Sequence, residues 1–122
     1  MSYVDGFVFT VPKKNLAFYQ KMAKDARKVW MKHGALDYKE CMGEDLTPKS
    51  MGGMKPLGFK QLTKAKPNEV VFFSYIVYKT KAQRDAINKK VMADPALKGY
   101  EDMPMPFDMK RFAYGGFTTV VE

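Results

Sequence analysis

The sequence predicts an α+β fold of the ferredoxin-like type, βαββαβ, with a four-stranded antiparallel sheet and helices on one face. The predicted elements follow the order strand, helix, strand, strand, helix, strand, which defines this topology. It places the first and third strands at the sheet centre, and these two segments are the richest in Phe, Val, Ile and Tyr. A chain of 122 residues, 46% of them hydrophobic, suits one buried core. We therefore expect a single domain over residues 1–122.

The first half of the chain predicts a strand, a helix and a second strand. Residues 3–11 combine aromatic and β-branched side chains, which favour an extended backbone. Asn15 can cap a helix in which apolar side chains repeat at three- and four-residue steps, and Gly34 supplies a left-handed stop. Residues 35–42 interleave charges with apolar side chains, a pattern typical of an edge strand.

A long irregular segment at residues 43–69 separates the second strand from the third. Its prolines and glycines predict a loop with at most a helical turn near residues 59–63. A loop of this length in a small domain is commonly a lid, an arm or a binding segment, so it is the first place to look for function. The sequence assigns no role to the methionine-rich part of this loop.

The second half of the chain predicts a strand, a helix and a last strand. Residues 70–78 form the most apolar stretch of the chain and predict the third strand. A capping box at Thr80 and Gln83 marks the start of the second helix. The last strand is expected within residues 111–121, with a bulge at residues 115–116, where two glycines adjoin.

Alternation of side chains makes both faces of the predicted sheet apolar. Two helices can cover only one face, and a monomer rarely exposes an apolar surface of that size. We therefore expect the other face to pack against a second copy of the chain, sheet against sheet, about a two-fold axis. The aromatic residues that the sequence offers for this sheet face or dimer interface are Phe7, Phe9, Phe73 and Tyr75. The sequence leaves open which of the two faces meets the partner.

The positive charge raises nucleic acid as an alternative partner. Lys and Arg number 21 against 13 Asp and Glu, which gives a formal charge of +8. RNA-recognition modules share the predicted element order and stack bases on aromatic side chains of the sheet. Those modules carry basic residues and glycine on their third strand, whereas residues 70–78 contain neither. An RNA-associated protein therefore stays an alternative, and solubility is the simpler explanation of the charge.

Five residues are candidates for contacting a small ligand, namely Trp30, His33, Cys41, Asp108 and Arg111. Trp30 and His33 are three residues apart and share one face of the first helix, and Cys41 on the next strand can approach them. Arg111 can clamp a carboxylate or a phosphate. Each also has a structural interpretation. His33 suits a helix C-terminus, Cys41 fills buried space, and Asp108 pairs with Arg111 at the surface.

Composition and motifs exclude several classes of protein. One cysteine and one histidine build neither an internal disulfide nor a structural zinc site, so we expect no metal. The sequence contains no phosphate loop or dinucleotide fingerprint, so we expect no cofactor, and it leaves open whether the protein is an enzyme. No apolar run approaches the roughly 20 residues that cross a bilayer, and no leader pattern opens the chain. We therefore expect a cytoplasmic protein without membrane contact.

Segments spread over nearly the whole chain resemble a known bacterial family. These segments are MSYVDGFVFTVP at 1–12, HGAL at 33–36, TKAKPNE at 63–69, QRDA at 83–86, VMADP at 91–95 and MPFDMKRFAYGGF at 105–117. They resemble the YbaA-like family of uncharacterised bacterial proteins, and the last segment is the most specific. The resemblance implies a ferredoxin-like domain of the dimeric α+β barrel superfamily with no established activity. That superfamily includes cofactor-free monooxygenases and haem-degrading proteins, whose pockets lie between the sheet and its helices.

The expected function is therefore a homodimer that holds a small organic ligand between the sheet and its helices, under the long loop. Three alternatives stay open at this point. They are an RNA-associated basic protein, a small-molecule enzyme of monooxygenase type, and a structural or stress-related dimer without a ligand.

Overall fold

The structure is a computed structural model that describes residues 1–122. It contains a four-stranded antiparallel sheet with the strand order β2-β3-β1-β4. The strands are β1 (Tyr3–Pro12), β2 (Asp37–Met42), β3 (Glu69–Tyr78) and β4 (Ala113–Thr118). The helices are α1 (Leu16–Lys32), α2 (Phe59–Thr63) and α3 (Lys81–Met92). The predicted ferredoxin-like topology is confirmed, with β1 and β3 at the centre of the sheet.

Helices α1 and α3 lie on the same face of the sheet and bury two apolar clusters against it. The first cluster consists of Phe9, Val11, Tyr19, Ala23 and Phe72. The second consists of Val29, Ala35, Tyr38, Ile76, Tyr78, Ile87 and Val91. Both arise because the helical period of α1 and the two-residue alternation of the strands turn apolar side chains toward each other. None of the helices has the length and apolarity required to span a bilayer.

The face turned away from α1 and α3 is called the open face. Its strand residues are Val4, Gly6, Val8, Thr10, Asp37, Lys39, Cys41, Val71, Phe73, Tyr75, Val77, Ala113, Gly115 and Phe117. Phe73 and Phe117 are 47% and 62% exposed there. The predicted aromatic set divides between the two faces. Phe9 lies in the core on the helix side and Phe7 packs beside it, so only Phe73 and Tyr75 lie on the open face.

The long loop covers one end of the open face. Within it, α2 forms where the sequence predicts a helical turn, and it contacts β1 and β3. Thr10 and Val71 are buried there although both belong to the open face. The loop is tied down at its start, where the Gly43 N–H donates to the carbonyl of Val71 over 2.7 Å. The helices are therefore not confined to one face, because this short one occupies part of the other.

Residues 115–116 do not form the predicted bulge. Strand β4 pairs with β1 without interruption, with Gly115 opposite Gly6 and Gly116 opposite Asp5. Gly116 serves a different purpose, because a Cβ at this position would collide with the ring of Tyr3. The absence of a side chain therefore allows the Tyr3 ring to lie across the sheet edge.

The caps of the two main helices differ from each other. Thr80 caps α3 as predicted, since its hydroxyl accepts from the Gln83 N–H at 3.1 Å. Asn15 does not cap α1 with its side chain. Instead, Asn15 Nδ2 donates to the carbonyl of Pro106 at 3.0 Å, which ties the start of α1 to the segment that precedes β4.

A buried ion pair fixes α3 on the sheet. Asp5 lies in the central strand β1 and is buried, and Arg84 of α3 donates to it from Nη1 over 2.8 Å. The Arg84 guanidinium also lies over the Tyr3 ring, 5.0 Å from its centroid. A buried carboxylate without such a partner is costly, so this contact is required once Asp5 faces the helices.

We predict that Phe9→Ala destabilises the fold by about 3–5 kcal/mol, because it empties a well-packed site beneath α1. The Phe9 side chain is 1% exposed, and its ring stacks on Phe72 at 5.6 Å between centroids. Phe18→Ala on α1 is the matched control and should cost clearly less, because the Phe18 ring is 37% exposed and contacts Tyr100 at the surface. Urea unfolding of both variants measures the difference, and equal losses would contradict the assignment of the core.

Candidate functional site

The predicted pair of Trp30 and His33 does not form one site, because each binds a different partner. Trp30 Nε1 donates to Tyr78 Oη and Asn88 Oδ1, both at 3.1 Å, and the ring packs against the core. His33 Nε2 lies 2.7 Å from Asp94 Oδ2 at the end of α1. Both side chains therefore join helices to the core, and neither faces an open groove.

Asp94 is the centre of the contacts around His33. Its buried carboxylate accepts from the backbone N–H of Ala96 and from Lys32 Nζ as well as from His33. These contacts lower the pKa of Asp94, with the Ala96 N–H as the largest cause and His33 next. His33 therefore lies at the C-terminal end of α1, as expected for a structural role. Through its contact with Asp94 it stabilises the turn that follows α3.

Cys41 is exposed, so the interpretation of this residue as buried packing is wrong. It is paired with Phe73 and lies on the open face, whereas Trp30 lies on the helix side of the sheet. The reason is the alternation of β2, which turns Glu40 toward the helices and its neighbour away from them. Cys41 therefore cannot approach Trp30 or His33.

Arg111 forms the predicted contact with Asp108, from Nε to Oδ2 at 3.1 Å. Its main partner is Glu69, which it binds with both terminal nitrogens at 2.7 Å each. Glu69 is 4% exposed, and hydrogen bonding to Arg111 lowers its pKa to about 2. Arg111 also donates to the carbonyl of Lys64. The clamp predicted for a ligand is therefore occupied by a carboxylate of the chain itself, and it joins β3, the long loop and the start of β4.

A groove between α1 and β2 is the candidate functional site. It has a volume of about 240 Å³, and its lining consists of Tyr19, Gln20, Ala23, Lys24, Arg27, Tyr38, Glu40, Met42 and Phe72. For comparison, an apolar cavity of about 150 Å³ accommodates benzene. The groove therefore has room for one ring with substituents. It lies between the sheet and a helix, and none of its lining residues comes from the long loop.

The regular geometry of two elements forms this groove. Tyr19, Ala23 and Arg27 recur at four-residue steps on α1 and so share one face of the helix. Tyr38 and Glu40 alternate with outward-facing residues on β2 and so point to the same side. Ala23 is small and lies between two long side chains, so the helix stands over β2 without filling the space between them.

Glu40 lies at the floor of the groove and accepts hydrogen bonds from three hydroxyl groups. Tyr19 Oη donates to Oε1 and Tyr38 Oη to Oε2, each at 2.8 Å, and Ser74 Oγ also donates to Oε1. Burial, and then the charge of Glu40, raise the pKa of Tyr19 and Tyr38 well above the ordinary tyrosine range. Both phenols therefore keep their protons at neutral pH and remain donors to Glu40.

The sequence interpretation missed the Glu40 group. Glu40 and Tyr38 lie in the segment predicted only as an edge strand, and Tyr19 lies on the apolar face of the predicted helix. A signal was present, because Tyr38, Glu40 and Met42 alternate on β2 and so share one face. The packing of α1 over that face brings Tyr19 to Glu40, and the pattern of the local sequence does not predict this packing.

Two solved structures share the overall fold of this chain. A putative antibiotic biosynthesis monooxygenase from Nitrosomonas europaea matches with a TM-score of 0.58 and 10% identity, over 98% of this chain and 90% of that one. Rv0793 from Mycobacterium tuberculosis matches with a TM-score of 0.59 and 10% identity, over 100% and 98%. At this identity the likeness concerns the fold alone.

The chain belongs to the family described as "Protein of unknown function (DUF1428)", whose model matches residues 2–109. It is 41% identical to the uncharacterized protein YbaA of Escherichia coli K12 over 122 residues, which span 100% of this chain and 99% of that protein. YbaA of Shigella flexneri matches to the same extent. The resemblance to the YbaA-like family is therefore confirmed.

We predict that the pair of Glu69 and Arg111 makes the fold sensitive to acid. Because the folded-state pKa of Glu69 is lowered to about 2, the pair stabilises the fold above the unfolded pKa of about 4.3 and loses that effect as the pH falls toward the folded value. The contribution is at most about 3 kcal/mol. Arg111→Met should therefore be clearly less stable than the wild type at neutral pH, and the difference should shrink in acid.

Urea unfolding at a series of pH values measures this difference. Lys110→Met, at a neighbouring lysine that forms no ion pair, is the matched control and should follow the wild type. A stability difference for Arg111→Met that stays constant from neutral pH to acid would contradict the assigned linkage.

Proposed function

We propose that the protein is a homodimer that binds a small organic molecule in the groove between α1 and β2. The observation that carries the proposal is the Glu40 carboxylate at the groove floor, held by the hydroxyls of Tyr19, Tyr38 and Ser74. We place the protein in the cytoplasm, where the exposed thiol of Cys41 stays reduced.

The polar floor of the groove supports a binding role. A carboxylate partly removed from water costs free energy unless hydrogen bonds replace its hydration. An apolar side chain at position 40 would fill the gap between α1 and β2 without that cost. The chain instead supplies three hydroxyl donors from α1, β2 and β3 to keep a carboxylate at this place. We infer that the carboxylate is kept for contact with a ligand.

Glu40 retains capacity for one further hydrogen bond. A carboxylate offers about four acceptor positions, and the three hydroxyls occupy three of them. Two of these bonds fall on Oε1 and one on Oε2, so the remaining position belongs to Oε2. Because Glu40 lines the groove, a hydroxyl or N–H of a bound molecule can take that position.

The open face supports the homodimer. A depression of about 260 Å³ lies on it, and its lining includes Val8, Phe73 and Phe117. A second copy presents the same apolar face, so two sheets packed about a two-fold axis remove both from water. The resemblance to the YbaA-like family implies the dimeric α+β barrel superfamily, which agrees with such an arrangement.

A small-molecule enzyme of monooxygenase type is the second candidate function. The fold shared with a protein described as a putative antibiotic biosynthesis monooxygenase favours it. The groove would then hold the substrate. Oxygen consumption by the purified protein in the presence of its bound molecule tests this candidate, and no consumption would remove it while leaving the binding role in place.

We predict that Met42→Trp blocks ligand binding. Met42 lies in the lining of the groove and is exposed, so a larger side chain can obstruct the groove without overfilling the core. Native mass spectrometry of the purified protein should show a bound small molecule in the wild type and its loss in the variant. Met92→Trp, at an exposed methionine on α3, is the control and should keep the ligand. A wild-type protein without bound molecule, or with RNA retained in a salt-sensitive way, would contradict the proposal.

We predict that Phe117→Asp converts the dimer to a monomer, because each copy would place a charge in an apolar interface. Sedimentation equilibrium at micromolar concentration measures the change in mass. Leu36→Asp is the matched control, because Leu36 is exposed and precedes β2 on the helix side of the sheet. A wild type that sediments as a monomer, or a Phe117→Asp variant that remains dimeric, would refute the open face as the interface.

A further inference from the structure

Two basic side chains at the rim of the groove have no acidic partner. Lys24 and Arg27 both lie in its lining, both are exposed, and neither forms an ion pair. Two other basic residues of α1 are paired, since Lys21 binds Asp25 and Lys32 binds Asp94, whereas Lys28 is unpaired but lies outside the groove. The groove therefore has two free cations at its mouth.

Arg27 is held in place at this rim. Its Nε donates to the carbonyl of Tyr38 at 3.2 Å, which fixes the guanidinium beside the groove and leaves both terminal nitrogens for another acceptor. Asp37 lies close enough to be affected by the charge of Arg27. The Asp37 carboxylate, however, pairs with Lys39 at 2.9 Å. A carboxylate from a ligand would thus meet a prepared guanidinium, which binds such groups through two parallel hydrogen bonds.

The walls between the rim and the floor favour a flat apolar body. Phe72 is buried, and its ring stacks on Phe9, so it presents a fixed aromatic surface. Met42 adds a flexible thioether that adapts to an aromatic ring. The volume of about 240 Å³ is enough for one ring with small substituents.

The groove therefore contains three zones in order, with cations at the mouth, apolar walls, and an acceptor at the floor. We propose that its ligand class is the hydroxylated aromatic monocarboxylates, with the carboxylate at Arg27 and Lys24 and the hydroxyl donating to Glu40. The proposal rests on the binding function proposed above. An amine directed at Glu40 would have to enter past two cations, so a cationic ligand is opposed by charge.

The test compares para-hydroxybenzoate, which has both groups, with benzoate, which lacks the hydroxyl, phenol, which lacks the carboxylate, and tyramine, which carries an ammonium group in place of the carboxylate. Isothermal titration calorimetry or ligand-observed NMR on the full-length protein gives the affinities. We expect para-hydroxybenzoate to bind most tightly and tyramine most weakly. Added salt should weaken para-hydroxybenzoate more than phenol, because only the former uses the exposed cations.

Two variants assign the contacts. Arg27→Gln should weaken para-hydroxybenzoate by about five-fold and leave phenol unchanged. Lys28→Gln, on the same helix but outside the groove, is the matched control and should change neither. Glu40→Gln should reduce the preference for para-hydroxybenzoate over benzoate, because a neutral amide is a weaker acceptor than a carboxylate. A melting curve for Glu40→Gln shows whether a change in binding comes from the lost contact or from loss of the fold. If Glu40→Gln unfolds, Arg27→Gln alone tests the proposal.

Several outcomes would overturn the ligand class. They are equal affinity for para-hydroxybenzoate and phenol, tightest binding of tyramine, no effect of Arg27→Gln, or no binding of any probe. These outcomes leave the binding function intact whenever native mass spectrometry shows a molecule that Met42→Trp removes. Absence of that molecule together with failure of every probe would refute both proposals.

Discussion

The pairing of β1 with β3 is the constraint on which the remaining structure depends. The two strands form ten residue pairs, and apolar side chains point from them to both sides of the sheet. Burying the apolar side chains on one face of the sheet therefore leaves those on the other face exposed to water. The helix side is closed by α1 and α3, whereas α2 closes only one end of the open face. Two features follow from how these two sides are covered, namely the groove on the helix side and the exposed apolar surface of the open face.

The groove occurs at one edge of the helix side, where α1 extends over β2. Strand β2 is short and lies at the sheet edge, so α1 overhangs it instead of packing into a complete layer. At such an edge, a polar side chain such as Glu40 stays half-exposed and in reach of water. The hydroxyls of Tyr19 and Tyr38 bridge the gap, so the same contacts that shape the floor also connect α1 with β2.

Local patterns were sufficient to predict the fold and insufficient to predict the site. Alternation, helical spacing and caps such as that of Thr80 depend on neighbours in the sequence, so strand order and helix positions followed from them. The site depends on contacts between distant residues. Arg111 meets Glu69 across 42 positions and Tyr19 meets Glu40 across 21, and nothing in either local segment specifies the partner. The prediction that Cys41 is buried was wrong for a related reason. Such a prediction requires knowing which face of the edge strand β2 is covered, and the local sequence does not give this.

Gly116 shows how a position at the sheet edge can act on the centre of the molecule. Although this glycine is exposed, the space above it is taken by the Tyr3 ring, and that ring supports Arg84, which in turn neutralises Asp5. A side chain at this exposed position would push the Tyr3 ring aside and weaken the contact between the Arg84 guanidinium and the buried Asp5 carboxylate. Tolerance to mutation along β4 should therefore be lowest at Gly116, where solvent exposure alone suggests that any residue would be accepted.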